Sequence, residues 1–329
     1  MKLWISNGRL GDRIFLLGMA LIALCIGVGN AGGATYDLII SGSGGEELYS
    51  ERFGDWSQRL RTVLIEQCGH RSENVRLLDE RGEISDGISS MDGIRKVFGE
   101  FSRQVTARDD VFVFLMGHGS YRRQVAKLNI PGPDLTAKDL DVLLDMLPAR
   151  RVVVVNGASM SAPFVNVLSD KGRIVCASTR SIDQRNATRF MGFFVQALED
   201  GSADQDRDER ISVLEICKQA SSLTDAWFLG EGMIVTENAI LDDDGDGRGT
   251  RLSNIDAGDG DVAERCFLLD FKVPQGTAPE LVEAYGQAID DVQNLKKKKA
   301  SLSETAYYQA LEEKLLKAAR LNRKIRDKK

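Results

Sequence analysis

Histidine is scarce in this chain: there are only two among 329 residues. A metal centre built on several imidazoles is therefore excluded, and any imidazole chemistry must rest on very few positions. The five cysteines form no CxxC pair and follow no metal-ligand spacing, so zinc ribbons and thioredoxin-type redox motifs are excluded as well. A basic excess is missing: the formal net charge is −6, which gives no reason to expect nucleic acid. Past the first 33 residues no apolar stretch is long enough to serve as a stable membrane span. Hydrophobic residues make up 43% of the chain, an ordinary share for a packed protein, so wholesale disorder is excluded too.

The charge is unevenly spread. From Thr277 to Lys329 there are 12 Lys and Arg against 8 Asp and Glu, leaving the acidic surplus in the rest of the chain, concentrated between Asp200 and Asp261. Residues 1–33 read as an export signal. Lys2, Arg9 and Arg13 precede the apolar "IFLLGMALIALCIGVG", and the small residues of "NAGGA" suit cleavage after Gly33. An uncleaved membrane anchor is the alternative. The expected location is periplasmic or secreted. Cys25 leaves with such a signal, and the mature chain keeps Cys68, Cys176, Cys217 and Cys266. Cys176 and Cys217 lie in apolar surroundings and read as buried small hydrophobes. An oxidising compartment permits a Cys68–Cys266 bridge, which the sequence alone does not establish.

From Asp37 onward, apolar runs alternate with amphipathic ones. "DLIISG", "NVRLLDE", "DDVFVFLMG", "RRVVVVN" and "GRIVCAS" read as strands. Between them lie helical stretches, with Phe53, Trp56, Leu60, Val63 and Leu64 on one face of the first. Thr136 with Asp139 three positions on is the signature of a capped helix start. A βαβα order predicts an α/β domain, over residues 34–275, with a mostly parallel sheet and helices on both faces. Residues 276–329 read as a helical hairpin, with Tyr308, Leu311, Leu315, Ala318 and Ile325 on one stripe of its second helix. The four lysines at 296–299 read as a solvated helix end.

In such sheets, sites form at the carboxyl ends of strands. Two strand ends carry candidate chemistry. One delivers His118 within "MGHGS" (116–120); the other is "VVVVNGASMSAPF" (152–164), in which Ala158, Ser159 and Ser161 follow the strand. A histidine flanked by glycines can approach a substrate closely, and a nucleophile after the neighbouring strand would lie within proton-transfer reach.

These two segments, with "RIVCASTRSIDQRNATRF" (173–190), "DRDERISVLE" and "TENAILDDDGDGRG", resemble the caspase-like cysteine peptidases, specifically the legumain-like branch. The likeness covers residues 36–252 and lies more in the order of the motifs than in any one of them. It implies a caspase-like three-layer sandwich. The family's catalytic cysteine falls on Ala158, with Met160 and Ser161 in place of Ser-Gly; a shift by one residue puts Ser159 there instead. Neither register supplies a thiol. The resemblance thus implies a bacterial branch that lacks the cysteine, a pseudopeptidase binding a peptide or protein partner. Its cleft would be lined by Gly117, His118, Gly119, Ser120, Ser159, Ser161 and Arg180. A hydrolase using Ser159 with His118 is the alternative, and no third member of a triad can be named for it.

"DQDRDERISVLE" places oxygen ligands at positions 1, 3, 5, 9 and 12 of a twelve-residue loop: Asp204, Asp206, Asp208, Ser212 and Glu215. Arg210 stands at position 7, where the main-chain carbonyl ligates. This is an EF-hand pattern for Ca2+ that lacks the position-6 glycine, where Glu209 stands. A solvated acidic loop capping a helix fits the same residues. "DDDGDGRG" (242–249) is a second acidic turn without a terminal glutamate.

Overall fold

The computed structural model describes residues 33–270 and 277–326. The expected export signal lies outside the described residues, apart from Gly33. In chain order the elements are β1 (Thr35–Ser41), α1 (Glu47–Glu66), β2 (Val75–Leu78), α2 (Met91–Gln104) and β3 (Asp110–Met116). Then come β4 (Gly119–Arg122), β5 (Val125–Leu128), β6 (Leu135–Thr136), α3 (Ala137–Leu144), β7 (Arg151–Asn156), α4 (Ala162–Leu168) and β8 (Arg173–Ala177). The domain continues with α5 (Phe190–Glu199), β9 (Ile211–Ser212), α6 (Val213–Gly230), β10 (Ile240–Asp242), β11 (Thr250–Arg251) and β12 (Phe267–Leu269). Helices α7 (Pro279–Lys297) and α8 (Glu304–Arg326) close the described chain.

Seven strands form the central sheet in the order β11-β10-β8-β7-β3-β1-β2. The five from β8 to β2 are parallel, and β10 and β11 add an antiparallel edge. Unbroken apolar runs form these strands because both faces are covered. Along β3, Val111, Val113 and Leu115 enter one core with α2, α3 and α4. Phe112, Phe114 and Met116 enter the other with α1, α5 and α6. The result is the three-layer α/β sandwich expected from the alternation.

Thr136 and Asp139 form the expected capping box at the start of α3. The strands leading to His118 and Asn156 are adjacent and parallel, in register from Asp110↔Arg151 to Leu115↔Asn156. Two features depart from the sequence reading. A small three-stranded sheet, β4-β5-β6, follows His118. On α8 the buried residues are Tyr307, Ala318 and Ile325, whereas Tyr308 and Leu315 are about half exposed. Ala318 and Ile325 thus lie buried on the expected stripe, which departs from the sequence reading at Tyr308, replaced by Tyr307, and at Leu315.

No disulfide joins Cys68 to Cys266; Cys176, Cys217 and Cys266 are buried thiols. Among the described residues no helix is long and apolar enough to cross a membrane.

Candidate functional site

The strand order reverses at β1, with β2 on one side and β3 on the other, so a crevice opens outside their carboxyl ends. His118 stands there. Gly117, at φ 151°, makes the abrupt exit from β3, and the imidazole Nε2 donates to the Gly44 carbonyl at 3.1 Å. A carbonyl only accepts, so Nε2 carries the proton and Nδ1 is the free lone pair. Tyr49 and Phe53 of α1 meet the ring edge-on, at 4.7 and 5.2 Å between centroids. Burial lowers the His118 pKa below the ordinary imidazole value, with Arg52 adding to it, against the opposing Gly44 bond and Glu46 charge. A neutral imidazole is a competent base by state.

No hydrogen bond joins it to Ser159 or Ser161. Ala158 is fully buried, its side chain in the core shared with α2, α3 and α4. Ser159 is 2% exposed. Its Oγ accepts from the Gly119 N–H at 3.1 Å and lies 3.4 Å from the Gly119 carbonyl, so it bridges the two strand ends. Ser161 is fully buried as well. It exchanges hydrogen bonds with Thr179, whose Oγ1 accepts from Ser161 N at 2.8 Å and whose N–H donates to Ser161 Oγ at 3.1 Å. Ser159 and Ser161, expected in the cleft, are instead consumed in holding the loops after β7, β3 and β8 together. Gly117 and Gly119 are likewise at or near burial, and Ser120 sits partly covered in β4.

Arg180 is exposed, as expected. It lines a cavity of about 330 Å³ with Asp183, Gln184, Arg185 and, from the irregular segment before β10, Thr236 and Asn238. The Thr236 Oγ1 is buried and has no hydrogen-bond partner. His118, Ser120, Ser159 and Ser161 do not line this cavity. The seven expected cleft residues therefore separate: a buried brace, a half-buried histidine, and an arginine in a polar pocket.

Glu237, not among the expected site residues, sits between two residues that line that pocket, Thr236 and Asn238. It is 4% exposed, and its carboxylate accepts from the N–H groups of Arg189 and Phe190 where α5 begins. Burial pushes its pKa up to about 7, Asp225 adds to the rise, and the two N–H groups and Arg189 oppose it. The folded chain thus holds this proton more tightly than the unfolded chain. The associated stability is fully present below the unfolded value near 4.5 and is lost as pH rises through about 7. Melting curves of wild type and Glu237→Gln across pH 5 to 8 should show this: the variant loses less stability than wild type on going to pH 8. Parallel curves would contradict it.

In the acidic loop, the carboxylates of Asp204, Asp206 and Asp208 converge, with one oxygen of each within 4.8 Å of the others. Glu209 adopts the left-handed conformation, φ 67°, that position 6 of an EF-hand loop requires. Ser212 and Glu215 belong to a separate arrangement, a capping box at the start of α6. Arg210 grips Asp208 through Nε and Nη2 at 3.0 and 2.9 Å and lies 4.0 Å over the Phe267 ring. Lys296 reaches Asp206 at 3.5 Å and Arg326 reaches Glu209 at 2.8 Å, so the basic hairpin docks on this loop. The three aspartates are a hard-oxygen donor set suited to Ca2+, and an ion there would compete with Arg210 and Lys296 for two of them. Asp242, Asp244 and Asp246 make a second such cluster, in which both Asp242 oxygens lie 3.1 Å from the Ser169 hydroxyl.

No family model matches the chain, and no curated protein matches it. Among solved structures, the crystal structure of protein GSU0716 from Geobacter sulfurreducens is similar at a TM-score of 0.43 and 10% identity, over 64% of this chain and 92% of that one.

Proposed function

We propose that this chain is an exported pseudopeptidase of the legumain-like, caspase-type kind, which holds a peptide or protein partner at the carboxyl edge of its sheet without cutting it. The observation that carries the reading is the fate of the Ser159 hydroxyl: it is buried and bound to Gly119, and it makes no hydrogen bond to His118, whose Nδ1 is the nitrogen able to accept a proton. A nucleophile must share a hydrogen bond with its base, and here no such bond joins the two. Support for the family comes from the motif order and from the placement of both motifs after neighbouring parallel strands. Support for binding comes from the pocket beside them, where Arg180, Arg185 and the unpartnered Thr236 hydroxyl offer donors to an extended chain.

Profiling the folded protein against a peptide library, with retention and cleavage read together, tests this reading. Retained peptides, lost in Arg180→Ala combined with Arg185→Ala, and no cleavage products are expected. Turnover that disappears in both Ser159→Ala and His118→Ala would overturn it. Ser159→Ala should cost about 1–3 kcal/mol of stability by leaving the Gly119 N–H without its partner.

A further inference from the structure

His70, the second histidine, is used by nothing described so far. It lies in the turn after α1, at the sheet edge opposite His118, and its side chain is 7% exposed. Nδ1 is 2.7 Å from Asp37 Oδ2, and Nε2 is 2.8 Å from the Leu268 carbonyl. Both partners are pure acceptors. A neutral imidazole donates through one nitrogen only, so a ring that satisfies both contacts is an imidazolium. Asp37 is fully buried, and its other oxygen has no partner, which leaves His70 as the counter-charge of a buried carboxylate.

We propose that His70 is a proton-dependent latch: charged, it fastens β12, the last strand before the C-terminal hairpin, to β1; uncharged, it lets β12 go. Loss of the proton falls on Nε2, because Nδ1–H faces the carboxylate. The Leu268 carbonyl then meets a lone pair. What remains on β12 is the short pairing with β9, Phe267↔Ser212 and Leu269↔Ile211, the Arg210 guanidinium over the Phe267 ring, and the burial of Leu268.

Among the charged groups near the ring, Asp37 is the one that acts on the His70 titration. Phe112 of β3, 6.3 Å away, is uncharged. Arg71 and Glu73, on the ring's own loop, pair with each other at 2.7 Å. Asp110 is held by Arg150 and Arg151. The Cys266 thiol is pushed up to about 12 by burial and stays neutral throughout. Burial works against a charged His70, but the Asp37 charge and hydrogen bond, together with the Leu268 carbonyl, outweigh it and hold the pKa above the ordinary imidazole value. The stability this supplies is fully present below about 6.5 and is lost as pH rises through the elevated folded value.

Because the chain has two histidines, deuterium exchange at the imidazole C2 position, read by mass spectrometry on the full chain from pH 5 to 10, gives two separate titrations. The His70 midpoint should lie above about 6.5 and that of His118 below it. Above the His70 midpoint, the protection factors of the amides at 267–269 should fall by on the order of tenfold per pH unit, while those of β3 hold. In Asp37→Asn the midpoint should drop below the wild-type value. A His70 midpoint at or below about 6.5 in the wild type, or β12 protection that does not change with pH, would overturn the latch. Neither outcome depends on the reading of the cleft.

Discussion

Replacing Gly119 by alanine should destabilise the protein by about 3 kcal/mol or more, at or beyond the top of the usual range for overpacking. A Cβ at this position would lie 1.9 Å from the Ser159 carbonyl oxygen. The obstacle is main chain on an adjacent strand end, so no rotamer change relieves it. Either the loop after β7 must move away from the loop after β3, or the domain must pay the clash. The Gly119 N–H bond to Ser159 Oγ would be strained by the same shift. Urea denaturation is the measurement, with Ser120→Ala as a control that leaves the main chain untouched. A Gly119→Ala variant within about 0.5 kcal/mol of wild type would mean that the two strand ends are not in this contact.

Arg173→Met should cost a comparable amount, about 3–5 kcal/mol. Arg173 is 5% exposed at the start of β8. Its guanidinium donates to Asp141 at 2.7 Å and to the Leu168 carbonyl at 2.9 Å, and also bonds Asp145. It thereby ties β8 to the C-terminal halves of both α3 and α4. Methionine keeps the stem's packing and deletes the charge, leaving Asp141 with Lys138 alone and the carbonyl of α4 without a donor. In a double-mutant cycle with Asp141→Leu, the second substitution should recover part of the loss, because it removes the stranded carboxylate. Purely additive costs would contradict the coupling.

The parts of the fold that were legible in the sequence are those where local pattern and burial coincide. "VFVFLM" admits one reading, a strand covered on both faces, and β3 is that strand. The Thr136–Asp139 pair announced a helix start because capping is a contact between residues three apart. The β4–β6 sheet escaped because "GSYR" and "VAKL" are too short and mixed to show a period, and their pairing depends on a turn at Arg123 and Gln124, both non-glycine residues at positive φ. Tyr307 and Tyr308 differ by 100° of helix rotation, and tertiary packing, which no local pattern records, buries the first and leaves the second half exposed.

The site was less legible, for a different reason. Residue type argues that Ser159 and Ser161 face solvent, whereas their burial follows from partners on other strands: Gly119 lies 40 positions from Ser159, and Thr179 lies 18 from Ser161. Glu237 finds its donors 48 and 47 positions away, and His70 finds its carboxylate 33 away. No periodicity connects such pairs. A lone charged residue in an otherwise uncharged loop, as Glu237 is in "MIVTENAI", was the one available signal.

The claim at the centre is that His118 has no nucleophile, and intact-mass analysis after exposure to a serine-directed phosphonate tests it most directly. The account predicts no adduct on the folded chain under conditions that fully label a serine hydrolase. An adduct that maps to Ser159 and is abolished by His118→Ala would show that the Gly119 brace opens and the pair forms, and would contradict it.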